Sequence, residues 1–168
     1  SHGNLGQVLL ETAMEIVGPI EPAIALAIER HQSVESCEER LRAAVAEVDR
    51  GAGVLILADM FGGTACNVSL RLHGEHPIEV VTGVNLPMLL KVAGVMAEAG
   101  DLVALAQLLK YYGQRNIMVA SDVLQLAMGD ITIEDITNGV PADNYAHYMQ
   151  NGYRPFTKAE IERIVLEE

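Results

Sequence analysis

The run Gly53-Val54-Leu55-Ile56-Leu57-Ala58 is apolar without interruption and stops abruptly at Asp59. A short run of this kind, bounded by turn residues, reads as a strand buried on both faces. Such a strand needs helices above and below it. It therefore predicts a parallel sheet inside an α/β fold rather than a half-solvated antiparallel sheet.

The flanking sequence supplies those helices. Leu5, Val8, Leu9, Ala13, Ile16 and Val17 recur at helical spacing, with Asn4 as a candidate cap and Gly18-Pro19 as a stop. Ser33 opens a second helix whose apolar face holds Val34, Cys37, Leu41, Ala44, Val45 and Val48, and Gly51 closes it. Thr64 to Leu72 reads as a short helix. Another follows Leu86-Pro87 through about Ala99, and a further one, capped by Asp101 and ended by Gly113, runs from Leu102 to Tyr112. Further strands are expected at Ile24 to Ile28, Pro77 to Val81 and Asn116 to Ala120. The alternation predicts a doubly wound, mostly parallel sheet flanked by helices.

A chain of 168 residues with 50% hydrophobic and 20% charged residues suits one domain with a full core. Trp is absent, so the core is aliphatic. After about Ala127 the character changes to Gly-, Asn-, Asp- and Pro-punctuated sequence, with a capping box at Thr157 to Glu160 ahead of a short helix, Lys158 to about Leu166. The expected organisation is a domain over 1–127 and an extension over 128–168. The net charge of −12 excludes nucleic acid as a partner, because phosphates require cations. No apolar run reaches membrane-span length, so no membrane insertion is expected. With no signal peptide visible, a cytoplasmic location is expected, although the chain lacks an initiator Met. Cys37 and Cys66 read as buried reduced thiols.

Ligands of an open α/β sheet bind beyond the carboxyl ends of its strands. Ser1-His2-Gly3-Asn4, Asp59-Met60-Phe61-Gly62-Gly63-Thr64 and Thr82-Gly83-Val84-Asn85 all read as strand-to-helix loops, and they are expected to converge there. The imidazole of His2 can act as a nucleophile close to a helix N-terminus, which favours phosphate. Asp59 can orient the ring by accepting from one nitrogen, and can equally cap the following helix. Gly62 and Gly63 permit close backbone approach in an anion-binding nest, and Thr64 adds a hydroxyl and a second candidate cap. No Lys follows the glycines, so this is not a nucleotide P-loop. His73-Gly74-Glu75-His76 fits no zinc spacing, His31 and His147 have no suggestive neighbours, and neither metal nor cofactor is expected.

Ser1-His2-Gly3, Leu57 to Asn67 and Val81 to Leu89, taken together and in order, resemble the mannose-type enzyme IIA domain of the bacterial phosphoenolpyruvate-dependent sugar phosphotransferase system. The resemblance covers residues 1 to about 125. It implies that His2 is phosphorylated, that Asp59 orients it, and that Gly62, Gly63 and Thr64 hold the phosphoryl oxygens, with Gly3, Asn4, Met60, Phe61 and Asn85 lining the site. It implies a donor, the small histidine carrier HPr, and an acceptor, a IIB domain that phosphorylates sugar. It also implies a homodimer in which the last strand, matching Asn116 to Ala120, crosses to the partner. Two departures stand out. The apolar first strand that the family carries ahead of Ser-His-Gly is missing from this chain, and Ala65-Cys66 replace a common Pro-Phe. The same site would serve a regulatory interaction module or a dihydroxyacetone-kinase phosphotransfer subunit. A nucleotide-binding α/β domain is the weakest reading.

Overall fold

The computed structural model describes residues 1–29, 31–96 and 101–121. The chain forms two compact units, Ser1–Asn116 and Ile117–Glu168. In the first unit the elements run α1 (Leu5–Val17), α2 (Val34–Val48), β1 (Val54–Ala58), α3 (Thr64–Leu72), β2 (Ile78–Thr82), α4 (Leu86–Val95) and α5 (Leu102–Arg115).

The apolar run is the strand its composition demands. β1 pairs in parallel with β2, Val54 opposite Ile78 and Ala58 opposite Thr82. Side chains alternate across a strand, so the two faces of β1 enter different cores. Leu55 and Leu57 pack against a cluster built around Ala13, Met88, Leu89, Leu105 and Leu109 of α1, α4 and α5. Val54 and Ile56 pack against Val45 and Leu72 of α2 and α3. Helices thus cover both faces of a two-stranded parallel sheet.

Two helix starts follow the sequence reading: Ser33 Oγ accepts from Ser36 N at 3.2 Å and Asp101 Oδ1 from Ala104 N at 2.7 Å. Asn85, expected only to line the site, caps α4, its Oδ1 accepting from Met88 N at 3.1 Å. Other expectations are corrected. Asn4 makes no capping bond to α1; instead Ser1 Oγ accepts from Gly6 N at 2.8 Å. Gly63 is the N-cap of α3, and Thr64 is its first helical residue. α2 closes at Asp49, whose Oδ1 accepts from Gly51 N and Gly53 N at 2.7 and 3.2 Å and shapes the turn into β1. Gly113 does not end α5. It lies buried within it, where an added Cβ would meet Met88 Sδ at 2.6 Å, so the glycine makes room for α4.

The sheet is smaller than expected. Ile24 to Ile28 forms no strand and makes one isolated parallel bridge, Ile28 with His2. A strand exists only through its ladder, and this segment has a neighbour only at Ser1 to Gly3. Among the described residues of the second unit, 117–121, there is no strand either. Ile117 to Val119 are irregular and Ala120 and Ser121 are helical. The expected boundary at 127/128, the helix from Lys158 and the end of α4 at Ala99 lie outside the described residues. No described helix is long and apolar enough to cross a membrane.

Two glycines of the Asp49 turn separate backbone strain from crowding. Gly51 has φ +95° and open space around it, whereas Gly53, at φ +89°, would place a Cβ 2.5 Å from the Pro77 carbonyl oxygen and 2.9 Å from Leu102 Cδ2. Gly51→Ala is expected to lose about 1–2 kcal/mol, the cost of a left-handed non-glycine residue. Gly53→Ala is expected to lose about 1–3 kcal/mol more, because the backbone oxygen cannot swing aside. Urea unfolding of both variants measures the difference.

Candidate functional site

The site is assembled where the N-terminal segment meets the end of β1. The His2 bridge to Ile28 holds the segment in place through Ile28 N–H to the Ser1 carbonyl at 2.8 Å and Gly3 N–H to the Ile28 carbonyl at 3.1 Å. Asp59 follows the last residue of β1, and its side chain is only 9% exposed. A carboxylate so placed requires donors. Oδ2 accepts from the His2 backbone N–H at 2.7 Å and lies 2.8 Å from His2 Nδ1, while Oδ1 accepts from Met60 N–H at 2.9 Å.

Burial pushes the Asp59 carboxyl up. The hydrogen bonds from the His2 backbone and ring, with the positive charge of His2 and of the N-terminal ammonium, outweigh it and hold the group below the usual carboxylate range. Asp59 is therefore an acceptor at neutral pH. An ionised carboxylate can only accept, so Nδ1 carries the proton and Nε2 keeps its lone pair in the neutral ring. The His2 side chain is 49% exposed.

Gly63 packs directly against that ring. A Cβ at this position would stand 2.9 Å from His2 Cε1 and 3.1 Å from Met60 Cγ. Gly62 has φ +75°, a conformation that favours glycine, and its carbonyl accepts from Asn67 Nδ2 at 3.1 Å. Beyond Gly63 the first-turn N–H groups of α3, beginning at Thr64, have no intrahelical partners. The arrangement brings together an oriented imidazole, two glycines and a helix N-terminus. It can stabilise a doubly charged tetrahedral group on the ring.

Of the expected site residues, His2, Asp59, Met60 and Gly63 are in mutual contact, with Gly62 and Thr64 flanking Gly63 and with Gly3 and Asn4 carrying the chain into α1. Met60 and Phe61 are 54% and 79% exposed on the rim. Asn85 is engaged elsewhere: its oxygen caps α4 and its Nδ2 donates to the Gly113 carbonyl at 3.2 Å. Sequence reasoning missed Ile28, whose backbone anchors His2, and Ser1, whose hydroxyl starts α1; a Ser just ahead of a helix was the only signal. Among the described residues no cluster of His, Cys, Asp and Glu could hold a metal ion.

Two measurements probe the pair. Gly63→Ala keeps an ordinary φ of −73°, so its Cβ is expected to displace the His2 ring from Asp59 at a stability cost of only about 1 kcal/mol at the cap. The Nδ1 proton resonance should then lose its hydrogen-bonded shift in NMR. A depressed folded-state pKa for Asp59 stabilises the fold above the unfolded value of about 3.9. That contribution is lost as pH falls through the lower folded value. The stability difference between the native chain and Asp59→Asn should therefore shrink below about pH 4 in pH-dependent urea titrations.

A family profile described as "PTS system fructose IIA component" matches residues 1–107. The Bacillus subtilis (strain 168) "PTS system fructose-specific EIIA component" is 30% identical over 125 residues, covering 74% of this chain and 85% of that one. The Escherichia coli (strain K12) "PTS system mannose-specific EIIAB component" is 35% identical over 113 residues, covering 63% of this chain. This chain spans about a third of that relative's length, 34%. Among solved structures, the mannose/sorbose specific IIA subunit from Enterococcus faecalis superposes with a TM-score of 0.64 at 28% identity, over 70% of this chain and 88% of that one. The EIIA component from Streptococcus agalactiae gives 0.66 at 25% identity, over 72% and 93%. With the fold, the ordered motifs and the relatives in agreement, this chain belongs to the fructose/mannose IIA family of the sugar phosphotransferase system.

Proposed function

We propose that this chain is a phosphohistidine carrier, a phosphotransferase that takes a phosphoryl group on His2 Nε2 from phospho-HPr and passes it to a IIB component for sugar uptake. The observation that carries the reading is the 2.8 Å contact between His2 Nδ1 and Asp59 Oδ2. It fixes the tautomer and leaves the second nitrogen to attack.

In the first transfer the Nε2 lone pair forms a bond to phosphorus in line with the breaking P–N bond of the donor. The electron pair of that bond returns to the donor imidazole. The proton on Nδ1 stays between the ring and Asp59, which stabilises the positive charge that develops on the phosphorylated ring. The phosphoryl oxygens lie against Gly62, Gly63 and Thr64, where backbone N–H groups and the hydroxyl receive them. Transfer to the acceptor reverses these roles, and His2 becomes the leaving group. Phosphoryl transfer of this kind asks for positioning and charge stabilisation and for no further covalent chemistry. It needs neither metal nor cofactor.

The exposure of the ring supports a protein donor. A small-molecule site encloses its ligand, whereas His2 stands half exposed beside exposed Met60 and Phe61. The same reading includes a cytoplasmic homodimer with the segment after Arg115 exchanged between subunits.

Incubation with phosphoenolpyruvate, enzyme I and HPr is expected to add one acid-labile phosphoryl group, read as intact mass. His2→Ala should abolish the gain. Asp59→Asn should slow it on the order of 10²-fold, the scale of a misplaced reacting group. An unchanged mass for the native chain overturns the reading.

A further inference from the structure

Asn67 is an unfavourable residue where it stands. It is the fourth residue of α3, a helix of nine, and asparagine favours caps and turns over helix interiors. It is exposed, so burial does not explain it. Its hydrogen bonds do. The Asn67 backbone N–H donates to the Gly63 carbonyl at 2.9 Å, and its Nδ2 donates to the Gly62 carbonyl at 3.1 Å. One residue thus holds two successive carbonyls.

The peptides that contain these carbonyls, Gly62–Gly63 and Gly63–Thr64, are trans. In a trans peptide the N–H points opposite to the C=O. With both carbonyls turned to Asn67, the N–H groups of Gly63 and Thr64 point the other way, out of the start of α3. Neither has a partner among the described residues. They open beside the His2 ring, because a Cβ on Gly63 would stand 2.9 Å from His2 Cε1, the carbon bonded to Nε2. The helix itself fixes the Thr64 N–H. It does not fix the Gly63 N–H. Turning over the Gly62–Gly63 peptide carries the φ of Gly63 from −73° into the left-handed region, which glycine enters without strain. The glycine that admits the ring therefore also lets the peptide turn, and the Asn67 amide opposes that turn.

We propose that Asn67 is a positioning residue for phosphoryl transfer: its side-chain amide locks the Gly62–Gly63 peptide so that the Gly63 N–H faces the phosphoryl group carried by His2. The consequence for transfer rests on the phosphocarrier reading of His2, whereas the locked peptide does not. The amide is spent on the Gly62 carbonyl, so Asn67 acts through the backbone and not on the phosphoryl oxygens. Two N–H groups side by side, with the Thr64 hydroxyl, then meet the negative oxygens without reorganising. The peptide turned the other way would present the Gly62 carbonyl instead, and one oxygen dipole facing another repels.

The test uses two variants. Asn67→Ala removes the lock and leaves a better helix former at an exposed position, so the fold is expected to survive. Asn67→Leu keeps the shape of the side chain without the donor and is expected to behave alike. The first readout needs no phosphoryl group: residual dipolar couplings of the backbone N–H groups, measured by NMR. The Gly63 coupling is expected to change in both variants while those of Thr64 and β1 stay. An unmoved Gly63 coupling, or an equal change throughout α3, overturns the proposal. The second readout is single-turnover phosphorylation by phospho-HPr, followed as intact mass over a range of donor concentrations. The limiting rate is expected to fall on the order of 10²-fold, the scale of one lost oxyanion donor, with the half-saturating donor concentration nearly unchanged. A raised half-saturating concentration at the native limiting rate assigns Asn67 to partner docking and overturns the positioning role. A native chain that accepts no phosphoryl group sinks the phosphocarrier reading and the kinetic role with it, while the dipolar couplings still decide whether Asn67 locks the peptide.

Discussion

The Asp59 carboxylate is the interaction on which the site depends. It is set at the end of an apolar strand, where a charge is costly, and it is tolerated because three N–H groups reach it. Two of the three come from His2, whose backbone and ring are bound by the same oxygen. One buried charge therefore does two jobs. It ties the N-terminal segment to the sheet, and it selects which ring nitrogen is protonated. Removing the carboxylate would loosen the segment and free the tautomer together, so the stability of this corner and its chemistry are coupled through one atom.

The glycines explain how such a carboxylate can serve a ring that stays exposed. Gly63 leaves no room for a side chain between α3 and His2. The helix N-terminus thus approaches the imidazole as closely as backbone can. A larger residue would keep the hydrogen bond or the helix approach, not both. The polar equipment of the site is otherwise mostly main chain, which keeps its charge low.

The local sequence made much of this legible. The run from Gly53 to Ala58 announces a doubly covered strand, and Asp59 is conspicuous because it ends such a run. Ser33 and Asp101 start helices by the side-chain chemistry their residue types favour. What depends on a distant partner was not legible. Ile24 to Ile28 has a strand's composition, yet composition does not supply a ladder. Gly113 has the identity of a helix stop, but its place is decided by Met88 of another helix. Asn85 sits in a loop of the right kind, and only the Gly113 carbonyl reveals that its amide is spent on packing. Asn4 fails as a cap because Ser1, further back in the chain, reaches the Gly6 amide first.

The pocket beside β1 and the candidate site at His2 are distinct in this protein. The largest enclosed space commonly marks the reaction site in a small-molecule enzyme. Here the pocket between Ala23 to Ile28 and β1 is lined mostly by aliphatic side chains, and neither His2 nor Asp59 lines it. The His2 ring stands instead on the open rim, half exposed, with Met60 and Phe61 exposed beside it. In the proposed carrier role His2 has to be reachable by donor and acceptor alike, so enclosure would defeat that role. The rim remains ordered because the ladder at Ile28 and the Asp59 carboxylate grip His2 from two sides. The same ladder forms one wall of the cavity.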